Sequence, residues 1–154
     1  MRPDNLEDPL ATLSADAFQA SNSVASGVFL AAQESLKAFR SPVHASHAKS
    51  FIYTGNILPF VPATNPVFFS LALQKKIAAH TIEQLHHSYT KGKIGAESIR
   101  FHYAHLASTD GKIPPYPGAV FRESGKAHAK AYWHLSNSDE PEDWDYRYAE
   151  FPVT

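Results

Sequence analysis

The sequence predicts an α/β domain, a small parallel sheet with helices packed against it. Three observations predict it. Long segments with apolar residues at helical spacing alternate with short runs of aromatic and β-branched residues. Their order is helix, then strand, helix, strand, helix, strand, which is the order crossover helices impose on parallel strands. The chain has 154 residues, 44% of them hydrophobic, enough for one core that buries about 70% of the surface the unfolded chain exposes.

Residues 1–13 read as a polar lead-in with two prolines and three acids, and residues 14–154 as a single domain. Ser14 is a fitting N-cap for one long helix running to about Phe39. Phe18, Ala25, Val28, Phe29, Ala32, Leu36 and Phe39 are expected on its apolar face. Ala20, Ser21, Ser23, Ser26 and Gly27 keep the neighbouring surface small, which lets another helix approach closely. After the loop RSPVHASHAK, Ser50–Thr54 reads as a short buried strand that stops at Gly55-Asn56.

The proline-rich loop ILPFVPATN leads to Asn65 as N-cap and Pro66 at the first helical position. In the helix that follows, Leu71, Ile77, Ala78, Ile82 and Leu85 are expected to point inward, with the end near Gly92. Ser98–Ala104 alternates Ile99, Phe101 and Tyr103 against Arg100 and His102, a strand pattern. A long loop, HLASTDGKIPPYPG, separates it from a helix expected over Gly125–Leu135. The acidic turn SNSDEPED then precedes a last strand, WDYRYAEF. Period-two alternation places Trp144, Tyr146 and Tyr148 on one face of it and Asp145 and Arg147 on the other.

Composition excludes several classes of partner. The formal net charge is −1, from 14 basic and 15 acidic residues, with no long basic run, so nucleic acid is not an expected partner. There is no cysteine, which rules out disulfides, thiolate nucleophiles and cysteine-held zinc and fits a reducing compartment. No stretch approaches the ~20 apolar residues of a membrane span. The first residues do not resemble a signal peptide either. The expected location is therefore the cytoplasm, without membrane association.

The seven glycines, at 27, 55, 92, 95, 111, 118 and 125, form no glycine-rich dinucleotide or phosphate loop, and no GxSxG elbow is present. Nine histidines raise the question of metal, but His44/His47, His86/His87 and His102/His105 do not share a ligating spacing. No metal site is expected. Parallel sheets bind ligands beyond the carboxyl ends of their strands, which points to Thr54, Gly55 and Asn56 and to residues 104–118. Lys75 and Lys76 lie early in the second long helix, where the macrodipole disfavours cations. They are either a solvated pair or groups aimed at a cofactor hydroxyl or a phenol.

Taken in order, AAQESLKAF, FIYTGN, LALQKKIAAH, IRFHYA, STDGKIPPYPG, KAHAKAYWHL and DWDYRYAEF resemble the carboxy-terminal part of the short-chain dehydrogenase/reductase family. More narrowly they resemble a divergent branch with TGN in the serine region. The resemblance spans roughly residues 10–151. It implies a partial Rossmann-like parallel sheet with flanking helices, the C-terminal half of such a domain, with the glycine-loop half missing from this chain. It also implies an ancestral NAD(P)-dependent oxidoreduction of a small carbonyl or alcohol. Lys75 would contact the nicotinamide ribose, Thr54 and Gly55 would lie against the cofactor, and Asn56 would meet the substrate oxygen.

The family's tyrosine and lysine are spaced YxxxK. With the lysine at Lys75 the tyrosine falls on Leu71, which cannot donate a proton, and the family's helix asparagine falls near Val24. The expectation is thus an oxidoreductase-like protein, incomplete or inactive as this chain, whose cofactor is NADP or NAD by resemblance, or none. One alternative is a non-catalytic binding or assembly module that keeps the family's helical dimer interface through residues 15–39 and 66–90. Another is a cofactor-free isomerase or dehydratase using His102, Tyr103, His105 and Asp110. In each case a homo-oligomer or a partner is expected to cover the sheet edge at Ser50–Thr54.

Overall fold

The computed structural model describes residues 13–62, 68–90, 99–107, 119–138 and 142–148. In chain order the elements are α1 (Ala15–Ser21), α2 (Ser23–Phe39), β1 (Ser50–Thr54), α3 (Phe69–Tyr89), β2 (Arg100–Leu106), α4 (Ala119–Asn137) and β3 (Asp145–Tyr148). Short 3₁₀ turns occupy Pro42–His44 and Leu58–Phe60. The strands form one sheet in the order β1-β2-β3, parallel throughout, with Tyr53 opposite Tyr103 and His105 opposite Arg147. This is an α/β fold of Rossmann-like character, with a three-stranded parallel sheet and flanking helices. Among the described residues no helix is long and apolar enough to cross a membrane.

Ser14 caps α1 as expected, its Oγ accepting from Ala17 N at 3.1 Å. The single helix expected to Phe39 is instead two, divided at Asn22. Ser21, Asn22 and Ser23 lie together there, and such side chains compete for backbone hydrogen bonds and weaken a helix interior. The chain turns through Ala25 N→Asn22 O at 3.0 Å and resumes. In α2, Val28 and Ala32 are buried and Leu36 and Phe39 pack beside them. Phe29 is 48% exposed, contrary to expectation. A rotation of 100° per residue carries it off the face Val28 occupies.

The inward stripe of α3 is Ser70, Gln74, Ala78 and Ile82, joined by Ala79. Steps of four decide it, so Gln74 is buried while Ile77 is 43% exposed, the reverse of what hydrophobicity alone suggests. Ala78 and Ala79 let the helix lie close on β2. The expected cap at Asn65-Pro66 and the stop at Gly92 lie outside the described residues.

β2 runs two residues later than expected. Everything from Ile99 to His105 is buried, because β2 is the central strand and helices cover both its faces. Its alternation separates two interiors rather than core from solvent. Phe101, Tyr103 and His105 share a face with Phe51, Tyr53 and Phe60. Toward α4, an Arg100 guanidinium nitrogen donates to Ser138 O and Ser50 Oγ donates to Leu135 O at 2.8 Å.

α4 extends beyond Gly125–Leu135 at both ends. Gly125 lies inside it, with open space around its α-carbon, at a cost of about 1 kcal/mol relative to alanine. Ala127, Ala131 and Leu135, again spaced by four, are its buried stripe. In β3, Tyr146 and Tyr148 meet His134 and His128 of α4, whereas Trp144 packs against Phe60 on the opposite side. The shared face expected for Trp144, Tyr146 and Tyr148 therefore fails at its first member, since pairing begins only at Asp145.

Candidate functional site

Around the end of β1 and the adjoining parts of β2 and β3 several chemistry-bearing side chains meet. Gly55 N donates to Ala104 O at 2.9 Å, carrying the β1–β2 pairing one residue beyond β1. A Cβ at Gly55 would lie 2.1 Å from Cζ and 2.4 Å from Oη of Tyr103, so only glycine fits against that ring. The ring is held in place because its hydroxyl donates to Asn56 O at 3.0 Å and accepts from Asn56 N at 3.1 Å. Burial pushes the Tyr103 phenol well above its ordinary value, against the opposing effect of its backbone hydrogen bond.

Asn56 Oδ1 accepts from Leu58 N at 3.1 Å and so sets up the turn Leu58–Phe60. Thr54 lies on the opposite face of the sheet, where its hydroxyl and the Tyr132 hydroxyl share a hydrogen bond. Thr54, Gly55 and Asn56 follow one another along the chain, but the Thr54 hydroxyl faces α4 while Gly55 and Asn56 meet Tyr103 and hold the strand-end turn in shape.

Lys75 reaches this edge from α3. Its ammonium donates to Tyr53 Oη at 3.1 Å and lies 5.1 Å from the centre of that ring. Lys76 donates to Pro59 O at 3.0 Å beside the Phe60 ring. Both lysines lie more than one turn inside the helix, beyond the reach of the terminal dipole. Leu71, in the same helix, offers no polar group.

A further cluster surrounds Phe60. His105, whose side chain is fully buried, stacks on Phe60 with ring centres 5.2 Å apart and donates through Nε2 to Asp145 Oδ1 at 2.8 Å. The other carboxylate oxygen accepts from Arg147 Nε at 2.8 Å and Nη2 at 2.6 Å. The Arg147 guanidinium lies 4.7 Å from the Phe60 ring centre. Burial alone would raise the Asp145 carboxyl, but the hydrogen bonds from His105 and Arg147 outweigh it and hold the group below its ordinary value.

His102 and His105 are not brought together. Three residues apart in a strand, they face opposite sides of the sheet. His102 donates through Nδ1 to Asp143 O at 3.0 Å, and burial lowers its pKa. Asp110 lies outside the described residues. The His105–Asp145 pair is not evident in the sequence, because only the register of β2 on β3 brings it together. The i, i+2 spacing of Asp145 and Arg147 was its one sequence-level sign.

Chemically, these strand ends offer an ammonium beside a phenol, an amide and a buried imidazole hydrogen-bonded to a carboxylate. Among the described residues no three His, Asp or Glu side chains converge as metal ligands. Compared with known protein families, curated proteins and solved structures, the chain has no match.

Proposed function

We propose that the chain is an oxidoreductase-like domain of the short-chain dehydrogenase/reductase kind, corresponding to the carboxy-terminal half of such a domain. Its strand ends would receive NADP or NAD together with a small carbonyl or alcohol, in the cytoplasm. What supports this most is the meeting of Lys75 with the end of β1, where its ammonium lies 3.1 Å from the Tyr53 hydroxyl. Ligands of parallel sheets lie there. In this assignment Lys75 binds the nicotinamide ribose, Thr54 and Gly55 flank the cofactor, and the Asn56 amide meets the substrate oxygen. The bound nicotinamide would supply the hydride. With Leu71 where a phenol is expected, turnover is weak or absent without a different proton donor.

Titrating NADPH and following its fluorescence tests the assignment. Saturable binding is expected, weakened about tenfold in Lys75→Met, which corresponds to about 1.4 kcal/mol. No binding at millimolar cofactor ends it.

A second reading, a binding or assembly module, has its own support. Phe18, Val24, Phe29 and Leu30 on α1 and α2 and Ile77 on α3 are exposed large apolar side chains, more than scattered surface residues usually contribute. Among the described residues β1 pairs on one side only. A homo-oligomer through these helices would bury the apolar groups. Light scattering on the size-fractionated protein checks it, and a monomer at micromolar concentration counts against it.

A further inference from the structure

Two ammonium groups end at the carboxyl edge of the sheet, and among the described residues neither has a carboxylate partner. The ion pairs among the described residues involve other side chains. Asp145, the carboxylate of the Phe60 cluster, is already bound by Arg147 and His105. Lys75 spends one of its three donors on Tyr53 Oη and Lys76 spends one on Pro59 O. Each has two left.

The Tyr53 hydroxyl is in the same position. It accepts from Lys75, so its own O–H hydrogen remains to be donated, and no acceptor for it lies among the described residues. Tyr103, directly opposite on β2, differs, because its hydroxyl both donates to and accepts from Asn56. The two phenols are adjacent, with ring centres 5.6 Å apart. One is structurally spent and the other has a donor to give. The aromatic surface of Tyr53, Tyr103 and Phe60 makes the surroundings less polarisable than water, which strengthens the attraction of nearby ammonium groups for an anion.

We propose that Tyr53, Lys75 and Lys76 form a binding site for a compact oxyanion, a carboxylate or phosphate group carried by a small molecule. Lys75 and the Tyr53 O–H bind its oxygens, and Lys76 adds a second positive charge at the rim. The site is independent of the nicotinamide assignment, since it needs only the charges and donors just described.

The test is a titration of the purified chain with inorganic phosphate and, separately, with acetate, at constant ionic strength with chloride as the balancing anion. Backbone amide shifts are followed by NMR. Saturable shifts around Tyr53 and Lys75 are expected with at least one anion, and which anion binds distinguishes a phosphate-bearing from a carboxylate-bearing ligand. Lys75→Met should weaken binding about tenfold and Tyr53→Phe about threefold. Lys75→Arg should retain it, and Lys126→Met, on exposed α4 surface, should leave it unchanged. Shifts that do not saturate with either anion, shifts that chloride reproduces, or undiminished binding by Lys75→Met would each overturn the proposal.

Discussion

Replacing Gly55 with alanine should be among the most damaging single-methyl changes available in this chain. The new Cβ would sit 2.1 Å from Cζ and 2.3 Å from Cε1 of Tyr103, inside any permissible contact, and the obstacle is a fully buried ring. Overpacking of this kind costs about 1–3 kcal/mol. The ring cannot retreat without breaking its two hydrogen bonds to the Asn56 backbone, each worth about 1 kcal/mol net. The expected loss is therefore about 3–5 kcal/mol. Gly27→Ala is the matched control. Its Cβ would meet nothing within 4 Å, and glycine to alanine within a helix should stabilise by about 0.5–1 kcal/mol. Urea unfolding followed by circular dichroism reads both midpoints under identical conditions. The double variant Gly55→Ala/Tyr103→Leu should recover part of the loss, because the clash and the ring are removed together. Gly55→Ala within about 1 kcal/mol of wild type, measured against the stated 3–5, would refute the close packing of Tyr103 on the strand-end turn.

Two further predictions concern pH. The Asp145 carboxyl is held below its ordinary 3.8 by His105 and Arg147, so its contribution to stability is present above that value and is lost as pH falls through the lower folded value. Asp145→Asn should lower stability at neutral pH and flatten the acid limb of a urea-midpoint profile; an unchanged limb would count against the pairing. His102 is lowered from 6.5 by burial, so its contribution is complete above 6.5 and declines as pH falls toward the folded value. His102→Asn, whose amide can replace the Nδ1 donor to Asp143 O, should remove that part of the slope, and a wild-type profile in the variant would contradict it.

Features written in neighbouring residues were legible in the sequence. Ser14 caps the first helix, and β1 has the bounds expected of it because Gly55-Asn56 punctuates its end. The three weak helix formers at Ser21–Ser23 divide a helix that the apolar stripe running through them predicts to be continuous. What local pattern cannot show is which strand lies in the middle. Once β2 is central, its polar residues become interior, and Arg100, His102 and His105 must be satisfied by segments remote in sequence. The same holds for Gln74, buried because it lies four residues from Ser70 and Ala78, while the more apolar Ile77 faces out. In the candidate site, Thr54, Gly55 and Asn56 were identifiable as a strand end. The partners Tyr53, Tyr132 and Asp145 were not, since each comes from strand register or from helix placement.

The polar side chains of β2 also bear on cooperativity. Arg100 ties the strand to the end of α4, His102 to the approach to β3, Tyr103 to the turn after β1 and His105 to β3 itself. Four consecutive or near-consecutive residues thus anchor segments that local sequence leaves unconnected. Withdrawing β2 would release all of them at once, so partial opening in this part of the molecule has few stable stopping points. The strand ends that carry the candidate site consequently share the stability of the whole sheet rather than behaving as a separately fraying rim.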